Sequence, residues 1–321
     1  MPETNDVANS RSLLEQDIDR RGFLKCMQWV GGGVVWSFAS GVPSSRLLGA
    51  DNKDKRAADF SFVQISDTHM GFNRPANADV LGTLQAAVAK INALQRQPDL
   101  ILHTGDLTHL AKAEEFDTLE QALKSLRQRE VFYVPGEHDV TGDDGRLYLE
   151  RFGKGSLGRG WRSFNHKGVH FVGLHNALQL EGLGDIGAEQ LDWMKKDLSA
   201  VSSSTPVVVF AHIPLWAVYP EWGWGTKDSE QALALLKRFG SVTVLNGHIH
   251  QVMQKVEGKV TFHSAMSTAF PQPAPGSAPA AGPMKVPGDL LRQVLGITEV
   301  NFVAGQHRLA VVDSPLEAKR A

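Results

Sequence analysis

The sequence predicts an α/β layered fold. Three observations carry that expectation. From Phe60 onward, short β-branched or apolar runs alternate with longer runs of helical periodicity, polar motifs recur just after the strand-like runs, and the composition suits a packed core. Of 321 residues, 42% are hydrophobic and 21% charged, unlike a disordered chain. Lys and Arg number 33 against 35 Asp and Glu, a net charge of −2 that lacks the basic excess of a nucleic-acid binder. The lone cysteine, Cys26, excludes an intramolecular disulfide framework and a zinc site built from several thiolates. Any metal must therefore be held by imidazole and carboxylate.

In chain order, Phe60 to Ser66 reads as a strand and Ala78 to Leu94 as a helix with apolar residues at helical spacing. Leu100 to His103 is a second strand, followed by a loop at Thr104-Gly105-Asp106 and a helix over Glu114 to Arg127. Val131 to Val134 is a third strand, ended by Pro135-Gly136. Val169 to Leu174, Pro206 to Ala211 and Val242 to Leu245 are further strands, with helices over Ala188 to Leu198 and Ser229 to Arg238. Gly153 to Gly158 matches the glycine spacing of a dinucleotide loop but follows no strand and leads into no helix, so it reads as a flexible loop. Phe270 to Pro287, rich in Pro, Ala and Gly, reads as an extended loop, either a lid or a connector.

Residues 1–50 read as an address rather than as part of the fold. Arg20-Arg21-Gly22-Phe23-Leu24-Lys25 resembles the core of a twin-arginine translocation signal, with Asp19 where Ser or Thr is usual. Cys26 to Ala39 carries no charge, includes Gly31, Gly32 and Gly33, and is too short and too poor in helix formers to span a membrane. Ser37-Phe38-Ala39 supplies a small-x-small cleavage site, with Ala50 as a later one. The resemblance implies recognition by the twin-arginine export machinery and a periplasmic or extracellular location.

Five polar motifs follow in order, each near a strand-to-loop junction: Asp67-Thr68-His69, Gly105-Asp106, Gly136-Glu137-His138-Asp139, Ala211-His212-Ile213-Pro214 and Gly247-His248-Ile249-His250. In open α/β sheets ligands bind beyond the carboxyl ends of the strands. D-x-H and H-x-H spacing on an extended backbone would place both side chains on one face, because side-chain direction repeats every second residue. Carboxylates and imidazoles without thiolate suit manganese, iron or zinc, and the donor total fits a dinuclear site.

This ordered set resembles the calcineurin-like metallophosphoesterase superfamily over Phe60 to about Ser264, and Gly187-Ala188-Glu189-Gln190-Leu191-Asp192-Trp193 before the strand into His212 resembles its class III cyclic-nucleotide phosphodiesterase branch. The resemblance implies a four-layer α-β-β-α sandwich of two mixed sheets over residues 58–315. It implies two metal ions, divalent or mixed-valence, with Asp67, His69, Asp106 and His250 on one, Asp106, Glu137, His212 and His248 on the other, and Asp106 bridging. It further implies hydrolysis of a small phosphoester, most readily a nucleotide phosphodiester, by a metal-bridging hydroxide. His138 would protonate the leaving group, and Asp139 would orient or buttress its loop. The family has Asn where this chain has Glu137; a carboxylate there adds negative charge, lowers the Lewis acidity of its ion and favours a harder metal such as iron.

Other readings remain open at this level. A phosphomonoesterase or a nucleotide pyrophosphohydrolase uses the same core, and a carboxylate at Glu137 also permits a non-catalytic metal- or phosphate-binding module. His103, His109, His166, His170, His175, His263 and His307 read as structural or surface residues. Trp216, Trp222 and Trp224 read as partly buried anchors of an irregular loop, and Arg146, Arg151 and Arg159 as solvated surface. Substrate identity and oligomeric state leave no readable trace.

Overall fold

The structure, a computed structural model, describes the backbone of residues 33–39 and 42–48, and residues 60–178, 180, 182–303 and 309–318. The Arg20–Lys25 motif, Cys26, Ala50 and His307 lie outside the described residues. Strands β1 (Gly33–Ala39) and β2 (Val42–Leu48) form a two-stranded sheet of their own.

From Phe60 the chain builds two sheets. The five-stranded sheet has the order β13-β12-β3-β4-β5, made of β3 (Phe60–Ile65), β4 (Leu100–Thr104), β5 (Val131–Val134), β12 (Gly296–Phe302) and β13 (Ala310–Pro315). Its pairs β3–β4 and β4–β5 are parallel, while β12 runs antiparallel to β3 and β13. The six-stranded sheet has the order β10-β11-β9-β8-β7-β6, made of β6 (Arg162–His166), β7 (Val169–Leu174), β8 (Val207–Ala211), β9 (Val242–Asn246), β10 (Met253–Glu257) and β11 (Val260–Ser264). It is parallel from β7 to β11 and closed by an antiparallel strand on each side.

Alternation along each strand sorts side chains between layers. Phe60 and Phe62 of β3, Leu100 and Leu102 of β4, Phe171 of β7, and Val208 and Phe210 of β8 meet in one apolar layer between the sheets. The intervening residues face outward. Val63, Ile65 and Ile101 pack on α1 (Val80–Asn92) and α2 (Ala113–Leu123) through Leu84, Val88, Ile91, Phe116 and Leu119. Val172, Val207, Val209 and Val244 pack on α4 (Ala188–Ser199) and α5 (Ser229–Leu236) through Met194, Leu198, Ala232 and Leu236. The result is the expected α/β fold, with two mixed sheets flanked by helices.

Helix α1 starts where Asp79 accepts a hydrogen bond from the Gly82 N–H, capping its first turn. Helix α2 ends at Leu123, short of the expected Arg127, because Ser125 and Leu126 close tighter i−3 bonds onto Ala122 and Leu123. Two short helices, α3 (Arg146–Phe152) and α6 (Gly288–Val294), and strands β6 and β10 to β13 were not legible in the sequence. Seven-residue helices show too little periodicity, and β10 reads Met-Gln-Lys-Val-Glu because it lies at the sheet edge with its last three residues exposed. Among the described residues no helix is long and apolar enough to cross a membrane.

Candidate metal centre

The five motifs occupy the carboxyl ends of neighbouring strands in both sheets: Asp67 and His69 after β3, Asp106 after β4, Glu137 and His138 after β5, His212 after β8, and His248 and His250 after β9. Backbone bonds join the first two loops, with Asp67 N–H to Gly105 O at 3.0 Å, His69 N–H to Asp106 O at 2.9 Å and Met70 N–H to Leu107 O at 3.0 Å. The extended geometry expected for D-x-H and H-x-H is corrected here. Asp67, His69, Asp106, His248 and His250 all have positive φ, between 39° and 68°. Each residue leaves the strand through a left-handed turn, a conformation that costs on the order of 1 kcal/mol or more and clusters at functional sites. Two glycines permit the crowding: a Cβ on Gly105, at φ +93°, would stand 2.5 Å from His212 Nδ1, and one on Gly247 would collide with Ser66 Oγ and lie 2.6 Å from Asp67 Oδ2.

These turns bring three carboxylates and four imidazoles into one buried cup. Asp106 sits between two halves: its Oδ2 is 3.4 Å from His69 Nε2 and 3.4 Å from His212 Nε2, while its Oδ1 accepts the His138 N–H at 3.0 Å. On one side Asp67 Oδ1 lies 3.3 Å from His250 Nε2, which is 3.2 Å from His69 Nε2. On the other, Glu137 Oε2 lies 2.8 Å from His212 Nε2 and its Oε1 2.8 Å from His248 Nδ1. Glu137 is buried and turns into the cup, not away from it.

The donor set fits metal ions. Among the described residues Asp67 Oδ2, Glu137 Oε2, His212 Nε2 and His248 Nδ1 are buried with no well-aligned hydrogen bond, and the close carboxylate–imidazole approaches leave a cost that cations remove. The groups Asp67–His69–His250 and Glu137–His212–His248 each bring three ligand atoms within 4.8 Å of one another, with oxygen and nitrogen donors of the kind that bind manganese, iron or zinc. Burial alone would raise the Asp67 pKa, but His250 and His212 hold it at about 2. Burial and the neighbouring rings of His138 and His250 push His69 well below its ordinary value, keeping a lone pair available.

A family model described as calcineurin-like phosphoesterase matches residues 60–252, which span all five motifs. The chain belongs to this family. A 3′,5′-cyclic-nucleotide phosphodiesterase of Nostoc sp. is 25% identical over 216 residues, covering 65% of this chain and 79% of the relative. A glycerophosphodiester phosphodiesterase of Enterobacter lignolyticus is 24% identical over 225 residues, covering 66% of this chain and 78% of the relative. Among solved structures, a dimetal phosphatase from Danio rerio shares the fold with a TM-score of 0.62 at 14% identity, covering 81% of this chain and 97% of that one.

Around the cup of this calcineurin-like phosphoesterase, the two remaining sequence-predicted site residues take different places. His138 lies at the rim, its ring edge-on to His69 at 4.8 Å and its Nδ1 2.7 Å from the carbonyl of His109. Burial pulls its pKa down, but Asp106 and Glu137 prevail and raise it. Asp139 points away from the cup: Oδ2 accepts the N–H groups of Leu107 and Gly136, and Oδ1 accepts the N–H and hydroxyl of Thr108, so it ties the two loops together. Burial and Asp106 push it up to about 7.

His103, His170, His175 and His263 have the structural contacts expected of them, with Thr68, Asp197, two carbonyls and Asp313 respectively. Trp224 is buried and Trp222 packs edge-on against it, consistent with loop anchors. Arg146, Arg151 and Arg159 pair with surface carboxylates. His109 departs from its structural reading: its ring stacks on His138 with centroids 4.7 Å apart, and its Nδ1 is 3.4 Å from His69 Nδ1. Phe270 was also missed as a site residue. Its ring stacks on His69 at 4.8 Å and its carbonyl accepts from His250 Nδ1 at 2.5 Å, so the Pro-rich loop that it opens forms one wall of the site. The position of His109 three residues after Asp106 is the sequence signal that could have marked it.

Proposed function

We propose that this chain is an exported hydrolase of small phosphodiesters, nucleotide diesters in particular, that works with two metal ions. The observation that carries the reading is the buried cup in which, among the described residues, Asp67 Oδ2, Glu137 Oε2, His212 Nε2 and His248 Nδ1 make no aligned hydrogen bond, with His138 at its rim. Asp67, His69, Asp106 and His250 would hold one ion, and Asp106, Glu137, His212 and His248 the other, with Asp106 common to both sets. When bound, such ions supply an activated water and positive charge for the phosphoryl oxygens.

The remaining work falls to the chain. His138 donates its Nδ1 hydrogen to a carbonyl, which leaves Nε2 as the nitrogen that delivers a proton to the leaving alkoxide. The carboxylates of Asp106 and Glu137 raise the pKa of His138 and so favour its protonated form. Asp139 holds the loop bearing Glu137 and His138 against the loop bearing Asp106, and Phe72 and Phe270 keep one side of the cup dry. The choice of diester over monoester is supported by the cyclic-nucleotide and glycerophosphodiester relatives.

Metal analysis beside turnover of bis(p-nitrophenyl) phosphate, a cyclic nucleotide, glycerophosphodiesters and p-nitrophenyl phosphate, with manganese or iron added, tests this reading. Diester turnover with two equivalents of metal is expected. Metal without hydrolysis would make the protein a binding module, and faster monoester cleavage would make it a phosphatase. Export is supported by Arg20-Arg21 and the Phe23-Leu24-Lys25 that follows. Replacing both arginines with lysine should retain the protein in the cytoplasm of a bacterium with a twin-arginine system; unchanged secretion would refute that route.

A further inference from the structure

Three imidazoles present Nε2 to the cup, and the proton on the opposite nitrogen decides whether Nε2 offers a lone pair. For His212 and His250 that proton is fixed by carbonyl acceptors, Thr104 O at 2.7 Å from His212 Nδ1 and Phe270 O at 2.5 Å from His250 Nδ1. Among the described residues the third, His69, has no such carbonyl. Its Nδ1 faces Nδ1 of His109 at 3.4 Å. Of two facing ring nitrogens one must donate and the other accept. Because His69 Nε2 needs its lone pair for an ion, His69 Nδ1 is the donor and His109 Nδ1 the acceptor.

His109 is itself held from several directions. Its N–H bonds to Met70 O at 2.9 Å, the edge of Phe72 meets its ring at 5.1 Å and 89°, and the ring of His138 stacks on it at 4.7 Å. Its carbonyl takes the Nδ1 proton of His138. One residue therefore touches both halves of the chemistry, an ion ligand through its ring and the proton donor through its backbone.

We infer that His109 is a positioning residue of this site, its Nδ1 fixing the metal-binding tautomer of His69 while its carbonyl and stacked ring fix the orientation of His138. The inference rests on the two-metal reading proposed above. A hydrogen-bonded surface histidine would instead leave metal affinity untouched, and that difference is measurable.

The test uses the full-length protein stripped of metal and titrated with cobalt(II), followed by calorimetry and by the visible absorption of the bound ion. Phe at this position keeps the stacking ring and the backbone carbonyl but removes the acceptor, so His109→Phe should weaken one of the two ions by roughly 10- to 100-fold and shift its absorption, leaving the other ion unchanged. His109→Asn restores an acceptor oxygen near the same place and should recover most of that affinity. If the Phe variant does not fold, His109→Ala reads the same loss without a new ring. For an alkyl phosphodiester the Phe variant should lose kcat more than it changes KM. Wild-type cobalt affinity in the Phe and Ala variants, or an Asn variant no better than Phe, would overturn the inference. Failure of the wild-type protein to bind cobalt at all would overturn the two-metal reading instead, so the two failures are distinguishable.

Discussion

Glu137 Oε1 lies 2.8 Å from Nδ1 of His248, and the same carboxylate reaches His212 with its other oxygen, so a side chain that is Asn in the family pattern here brings a full negative charge into the cup. Glu137→Asn should reduce affinity for a trivalent ion while raising diester turnover by roughly tenfold, the effect of about 1.4 kcal/mol less repulsion of an anionic substrate. Metal content by mass spectrometry and steady-state rates check this, and unchanged values in both would end the charge argument.

The role proposed for His138 on the leaving group makes the effect of its removal depend on what leaves. His138→Ala should keep both ions but lose about a hundred- to ten-thousand-fold in turnover of an alkyl diester, with a much smaller loss for p-nitrophenolate, which needs no proton. Comparison of the two substrates at fixed metal is the measurement. Equal losses on both would assign His138 to binding.

Phe171 is fully buried between the sheets, with its ring parallel to Phe164 at 4.8 Å and edge-on to Phe62 at 5.5 Å. Phe171→Ala should destabilise the fold by about 3–5 kcal/mol in urea titrations while the folded fraction retains its metal affinity. The site stands on loops at the strand ends, and the cavity would open within the layer beneath.

Asp197 links α4 to the edge of the six-stranded sheet. Its partial burial acts to raise the pKa, but hydrogen bonds from His170 and Ser163 outweigh that and lower it. A carboxyl depressed in the folded state stabilises the fold above its unfolded pKa, about 3.9, and loses that contribution as pH falls through the folded value. Asp197→Asn should therefore be less stable than wild type at pH 6, with the gap constant down to about pH 5 and closing below about pH 4. A gap that persisted unchanged at pH 3 would contradict the assignment.

The strands that carry the site were legible because they are buried on both faces and read as continuous apolar runs, such as Val207 to Phe210. The seven cup residues were legible because each follows such a run. Strands β12 and β13 were not, since β12 interleaves Thr298, Glu299 and Asn301 with apolar residues and acquires its place only by pairing with β3. The conformation of the ligand turns was misread for a related reason: spacing within D-x-H and H-x-H implies an extended backbone, whereas crowding among five loops forces positive φ.

What the sequence determined by itself is therefore the site-bearing strands and the longer helices between them up to β9, the family, and the residues that converge, because periodicity and motif placement are local properties of the chain. Only the tertiary structure decided how they converge. It aimed Glu137 inward, spent both oxygens of Asp139 on backbone N–H groups, and brought His109 and Phe270 to the rings of His69 and His250. Those relationships join residues far apart in the chain, as for His69 and Phe270. They depend on two sheets packing face to face, which no local pattern encodes.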